Sequence, residues 1–165
     1  MTKLKIPIRY IPKKLNKKDK KKQLNMLLKS RKLYKQKQFF TRKKISSFKS
    51  KISPHILKAR QIYKTEKIYP NSLLTKATGC SLKSLQQIVK KGEGAYFSSG
   101  SRPNQNAQSW GFARLASSIT GGKAAAVDFK ILEKGCNHTK KAYKLALQAK
   151  NKYGYGQGKT RKITI

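Results

Sequence analysis

Acidic residues are scarce in this chain: five Asp and Glu stand against 41 Lys and Arg in 165 residues, a formal charge of +36. Self-repulsion of that size opposes a compact state unless something anionic neutralises it. The partners that fit are nucleic acid or an anionic membrane surface. The same shortage works against metal-dependent hydrolysis, which needs converging carboxylates. Beyond residue 90 only Glu93, Asp128 and Glu133 remain, and Asp128 and Glu133 are five apart, which is not one helix face. Cysteine is nearly absent too: Cys80 and Cys136 are too few for a disulfide framework and suit a reducing compartment. With His55 and His138 they match no zinc-finger spacing. Two histidines and no nucleophile motif leave no enzyme, metal or cofactor to expect. No apolar run approaches the roughly 20 residues that span a bilayer. The start, MTKLKIPIRYIPKK, lacks the continuous apolar stretch of a secretory signal. The expectation is a protein with no membrane span that is not secreted.

What is present is lysine. Lysines outnumber arginines 34 to 7. Lysine meets phosphate as a point charge, without the planar recognition that arginine supplies, so the balance fits neutralisation better than sequence reading; AT-rich coding gives the same bias. The charge is uneven. Residues 1–70 hold 24 Lys and Arg against two acids, and residues 71–165 hold 17 against three.

From the start, Ile6 to Pro12 alternates but carries two prolines, predicting an extended edge strand or an arm lying across a neighbour. Asn16 with Asp19 three residues on predicts a helix start, and Leu24, Leu27 and Leu28 mark a face running to about Lys35. Lys17, Lys18, Lys20, Lys21 and Lys22 crowd its first turns, against the helix dipole. Gln36 to Ile52 reads as an irregular linker with Phe39 and Phe40 docked. Ser53-Pro54 opens the next helix, with Ile56, Leu57, Ala59, Ile62 and Tyr63 as its apolar face. Ser72 to Val89 reads as helix, tight turn at Gly79, helix capped by Ser81, a spacing like the helix-turn-helix of DNA-binding proteins. A structural hairpin scores alike. Its second helix would turn Lys83, Ser84, Gln86, Gln87 and Lys90 outward.

The least lysine-rich stretch is Gly92 to Thr120, which holds the only tryptophan, Trp110. Gly92, Gly94 and Gly100 read as punctuation around a short strand at Ala95 to Ser98. Ser98, Ser99, Gly100 and Ser101 then form a candidate anion-binding loop ahead of Arg102 and Pro103. No GxxxxGK[ST] pattern is present. A helix follows from about Asn106, with Asn104 or Asn106 as its cap, until Gly121-Gly122. Trp110 and Phe112 are expected in the core. Lys123 to Glu133 reads as one helix, and Thr139 caps the last. From Tyr153 the chain is Gly-rich and basic and is expected to be mobile.

Three blocks carry a further signal: RYIPKKLNKKDKKKQ, LLTKATGCS, and GEGAYFSSGSRPNQNAQSWGFARLASSITGGKAAAVDF. Together they resemble a family of short, basic, functionally uncharacterised proteins from large double-stranded DNA viruses of algae and protists. The resemblance covers most of the chain. It implies a viral protein made in an infected eukaryotic cell and carried in the virion, or acting in that cell's cytoplasm or nucleus. It supplies no activity and no functional residues.

The expected fold is mainly α: a small helical domain with a helix-turn-helix-like hairpin and one short strand. Residues 1–52 form a basic extended or helical arm, 53–150 the helical core domain, and 151–165 a flexible basic tail. The expected function is non-enzymatic: a virion-associated protein that binds nucleic acid, DNA first, through phosphates, for genome neutralisation or packaging. The candidate contacts are Lys17, Lys18, Lys20, Lys21, Lys22, Arg42, Lys43, Lys44, Lys83, Lys90, Lys91 and Arg102. The alternatives are a minor capsid protein, with viral capsid proteins as partners, bridging capsomers inside a shell, and a sequence-reading helix-turn-helix regulator.

Overall fold

Helix-start signals decide most of the architecture. In the computed structural model, which describes residues 3–155 and 160–164, Asn16 accepts a hydrogen bond from the Asp19 N–H at 2.8 Å and opens α1, Lys17–Lys35. Ser53 caps α2, Pro54–Tyr63, with proline in its first turn. Asn71 caps α3, Ser72–Thr78, which ends at Gly79 with φ +73°. Ser81 accepts from the Ser84 N–H at 3.2 Å as α4, Leu82–Ser98, begins. The helical hairpin expected at Gly79 is therefore present. Then come α5 (Ala107–Ile119), α6 (Lys123–Val127), α7 (Phe129–Gly135) and α8 (Lys141–Tyr153). Two strands, β1 (Lys5–Pro7) and β2 (Lys162–Thr164), pair antiparallel, with Ile6 opposite Ile163.

The fold is mainly helical, as expected, but the short strand lies elsewhere. Residues 95–98 continue α4. The buried positions Leu85, Ile88, Val89, Gly92 and Tyr96 recur at three and four, so the apolar face runs straight through the glycines. Gly92 does not punctuate; it allows close approach, because a Cβ there would fall 2.6 Å from the Gly111 Cα. The expected single helix from Lys123 to Glu133 breaks at Asp128, whose carboxyl group is drawn inward. The segment expected as a mobile tail is helical to Tyr153 and, among its described residues, contains β2, where Ile163 and Thr164 suit a strand. Cys80 and Cys136, read as suiting a reducing compartment, form a disulfide, flanked by Ser81 N–H donating to Gly135 O at 2.7 Å and Asn137 N–H to Gly79 O at 2.8 Å.

The chain forms two compact units whose limits differ from the three expected segments. The first comprises the described residues of Met1–Lys51, Glu93–Ala107 and Lys159–Ile165; the second comprises those of Ile52–Gly92 and Gln108–Gly158. In the first, Ile6, Tyr10, Leu15, Leu27, Ile45 and Tyr96 are buried. The second closes on Leu74, Leu85, Ile88, Leu115, Ile119 and Leu132. Ala142, Ala146 and Ala149 line the buried face of α8, small enough for close helix packing. Phe112 packs against this core, as expected. The Tyr63 hydroxyl donates to the Ile119 carbonyl, and burial pushes its ionisation up from the ordinary value.

Candidate nucleic-acid interface

Helix α1 buries Asp19, Gln23, Met26, Leu27 and Ser30. That choice forces the remaining residues outward. Lys18, Lys21, Lys22, Lys29, Lys32 and Lys35 follow the exposed side at intervals of three, four or seven, with Asn25 and Leu28 filling the line. From Lys18 to Lys35 this ridge extends about 25 Å at the helical rise. Lys17 is exposed at its start and Lys20 is half-buried. Lysines three and four apart repel, by a few tenths of a kcal/mol per pair, so the Asn16 cap and the buried side must hold the helix against its own charge.

A second strand of charge is fixed beside the first turns. Residues 42–48 lack regular structure, yet every few atoms of their backbone are tied down. The Arg42 N–H donates to the Tyr96 hydroxyl at 3.0 Å. The Asn104 carbonyl oxygen accepts the Ile45 N–H at 2.6 Å, and its amide donates to Ile45 O at 3.1 Å and Phe48 O at 2.7 Å. Asn104 does this at φ +62°, a conformation asparagine tolerates. The Ser47 N–H donates to Asp19 Oδ2 at 3.0 Å. Lys43 and Lys44 are exposed between these ties, and Lys22 Nζ reaches the Lys44 carbonyl at 3.4 Å. Lys17 to Lys22 and Lys43-Lys44 thus come together, although more than 20 residues separate them.

The other candidates fare differently. Arg42 points inward. It is 7% exposed, its guanidinium lies 3.7 Å from the Tyr96 ring centre, and it donates to Ser30 Oγ, Tyr96 O and Ser101 Oγ at 2.8–2.9 Å. Burial pulls its pKa below the ordinary value, with Tyr96 and Tyr10 acting the other way. Arg42 is therefore an internal strut, and the loop expected to hold an outside anion spends Ser101 on this cation instead. Gly100 is also buried, at φ +127°, where a Cβ would meet Leu27 at 2.7 Å. Ser98 and Ser99 stay exposed, with the Ser99 carbonyl accepting from Arg31 Nε at 2.9 Å. Arg102 is exposed in the same unit.

In the second unit Lys83, Gln86, Gln87 and Lys90 face solvent along α4, whereas Ser84, expected outward with them, is buried. A Cβ on Gly135 would strike the Ser84 hydroxyl, so the first turn of α4 packs against the end of α7. Lys91 is engaged: Nζ lies 2.9 Å from Asp128 Oδ1. Arg114 grips the same carboxylate, Nη2 to Oδ1 at 2.8 Å and Nε to Oδ2 at 2.9 Å. Burial alone would raise the Asp128 pKa, but the hydrogen bonds and charge of Arg114, then of Lys91, hold it below the usual range. Among the described residues no three His, Cys, Asp or Glu side chains gather as a metal site, and the disulfide removes both cysteines as ligands. No described helix is long and apolar enough to cross a membrane.

Asp19 links the ridge to residues 42–48. The Ser47 hydroxyl and N–H, with Lys22 and Lys18 nearby, hold its carboxyl below the ordinary value. A depressed carboxyl contributes above its unfolded pKa of about 3.9 and stops contributing as pH falls through the folded value. The Ser47 amide resonance is expected to titrate with a midpoint below about 3.9. A midpoint at or above that figure would show that Asp19 does not hold the segment.

The first unit carries 24 Lys and Arg against two acids, one of them the buried Asp19. The second carries 17 against three, of which Asp128 is buried. Two of the five carboxylates are therefore used up inside, and the outward surface is somewhat more cationic than composition alone conveys.

A model described as "Family of unknown function (DUF5824)" covers residues 7–138. No curated protein and no solved structure matches the chain.

Proposed function

The chain belongs to this family of unknown function, and from that premise we propose that it is a non-enzymatic protein that binds nucleic acid, DNA in the first instance, through the phosphate backbone. Its role on this reading is to neutralise or package a viral genome in the virion or the infected cell. The observation that carries it is the α1 ridge with Lys43 and Lys44 pinned alongside. Duplex DNA presents a charge about every 1.7 Å along its axis, so a ridge of about 25 Å faces many phosphates at once. Lysine point charges on a helix side suit such contact without reading bases. Phosphates would also relieve the repulsion among Lys17, Lys18, Lys21 and Lys22 that opposes α1.

The test is binding to a duplex of random sequence across a salt series. Affinity is expected to fall steeply, with little dependence on sequence. Changing Lys18, Lys21 and Lys22 together to Gln should reduce the slope of log K on log salt by roughly 2–3, at about 0.9 per lost phosphate contact. Little binding near physiological salt, or an unchanged slope, would overturn the reading. Strong preference for one sequence, lost when Gln86 and Gln87 become Ala, would favour the exposed side of α4 as a reading helix instead.

A second reading, a minor capsid protein bridging capsomers on the inner face of a viral shell, draws on Phe39. It is 71% exposed, with its ring 5.1 Å from Phe97 and 6.2 Å from Tyr34. An exposed aromatic group of this kind suits a protein contact.

A further inference from the structure

The strand pair places charge where nothing in the helix pattern calls for it. Residues opposite each other in an antiparallel pair share a face, and the face alternates along each strand. With Lys5 opposite Thr164 and Pro7 opposite Lys162, both lysines stand on one side, while Ile6 and Ile163 take the other. Ile6 is fully buried, which fixes the side the lysines must face. They border a hollow of about 400 Å³, whose other walls include Arg31 of α1, the Ser98 and Ser99 end of α4, and Thr160. All of these belong to the first unit.

Three cations therefore meet at one hollow with no carboxylate among the described residues of its lining. Arg31 is held in place by the bond from its Nε to Ser99 O, and its two terminal nitrogens make no bond among the described residues. The hydroxyls of Ser98, Ser99 and Thr160 are likewise unengaged among the described residues and can donate. Converging like charges raise the energy of the empty site, and an anion lowers it by more than it would at an isolated lysine. A planar guanidinium, two ammonium groups and three hydroxyls match a tetrahedral oxyanion. The volume lies at the lower end of ligand sites, enough for a phosphate with its ester substituent.

The geometry points to a discrete phosphate-binding site at this hollow, with Arg31, Lys5 and Lys162 supplying charge and Ser98, Ser99 and Thr160 supplying hydrogen bonds. The site takes one phosphate group and is separate from the α1 ridge, which meets many. It rests on the proposed function only for the source of that phosphate, a nucleic-acid strand rather than a free phosphate ester.

The test is titration of the full chain with inorganic phosphate at constant ionic strength, followed by amide resonances. Saturable shifts are expected at Ser98, Ser99 and Lys162, with chloride giving none. Lys5→Gln with Lys162→Gln should weaken the response about tenfold. The Lys18, Lys21, Lys22 to Gln variant should leave it unchanged. A dinucleotide with one internal phosphodiester, titrated in parallel, separates the sources: tighter binding than inorganic phosphate indicates a strand, weaker binding a free phosphate. Non-saturable shifts, or shifts insensitive to the Lys5 and Lys162 changes, would overturn the site even if duplex binding is steep in salt. Saturation here without duplex binding would leave the site standing and remove the genome-binding role.

Discussion

Asp128→Asn is expected to destabilise the second unit by about 3 kcal/mol, near the lower limit for breaking a buried ion pair from one side. The carboxylate is 1% exposed and accepts from Arg114 through both oxygens and from Lys91 through one. Asparagine keeps the volume and one acceptor but leaves two cations facing a neutral group. Lys91 has a side chain 45% exposed and regains water readily; Arg114, at 22%, does so less well. The fluorescence of Trp110, the single tryptophan, lies in this unit and follows its unfolding in denaturant. A loss under about 1 kcal/mol would mean that the three-way pair is neutral in effect. Adding Arg114→Met and Lys91→Met should recover part of the loss, because the penalty comes from charges left unpaired. The sign with pH follows from the depressed carboxyl. The wild-type advantage is complete above about pH 4 and shrinks as pH falls below it, so the variant's deficit should shrink too.

Arg42→Gln is expected to cost the first unit about 3 kcal/mol, and Arg42→Lys nearly as much. The guanidinium makes three bonds to groups from α1, α4 and the following loop, and stacks on Tyr96. Lysine cannot span Ser30 Oγ, Tyr96 O and Ser101 Oγ with the same fork, so it leaves acceptors unmet inside. Amide exchange at Ile45 and Ser47 is the suitable probe, since both N–H groups lie on the segment that Arg42 anchors. Faster exchange in both variants is the expected result. Unchanged exchange with weakened duplex binding would instead make Arg42 a phosphate contact that swings outward.

These two residues also mark where sequence stops being informative. The caps at Asn16 and Ser53-Pro54 and the turn at Gly79 are local: each is decided by neighbours within four positions, and each lies where the spacing predicts. Arg42 stands beside Lys43 and Lys44 with nothing local to separate an internal strut from a surface cation. What turns it inward is Ser30, Tyr96 and Ser101, as many as 59 residues away. Asp128 is the same case, since Arg114 and Lys91 lie on other helices. The glycines misled for another reason. Gly92 has the composition of a loop, but close approach to Gly111 is a tertiary fact. The pairing of Lys5–Pro7 with Lys162–Thr164 has no local signature, because β pairing depends on a partner from the far side of the chain. The start of α1 was legible but its faces only in part: the spacing sets Leu28 with Leu27 on the apolar side, whereas the buried side runs through Asp19, Gln23, Met26, Leu27 and Ser30 and leaves Leu28 among the outward lysines.

That pairing has a consequence in time. Residues 162–164 leave the ribosome long after Lys17–Lys35, at roughly 5–20 residues per second a lag of several seconds to tens of seconds. Throughout that interval β1 lacks β2 and the first unit is incomplete, yet every lysine of α1 is already out. A nascent chain would thus carry its charge before its finished shape, and maturation of the first unit waits for the last strand to arrive.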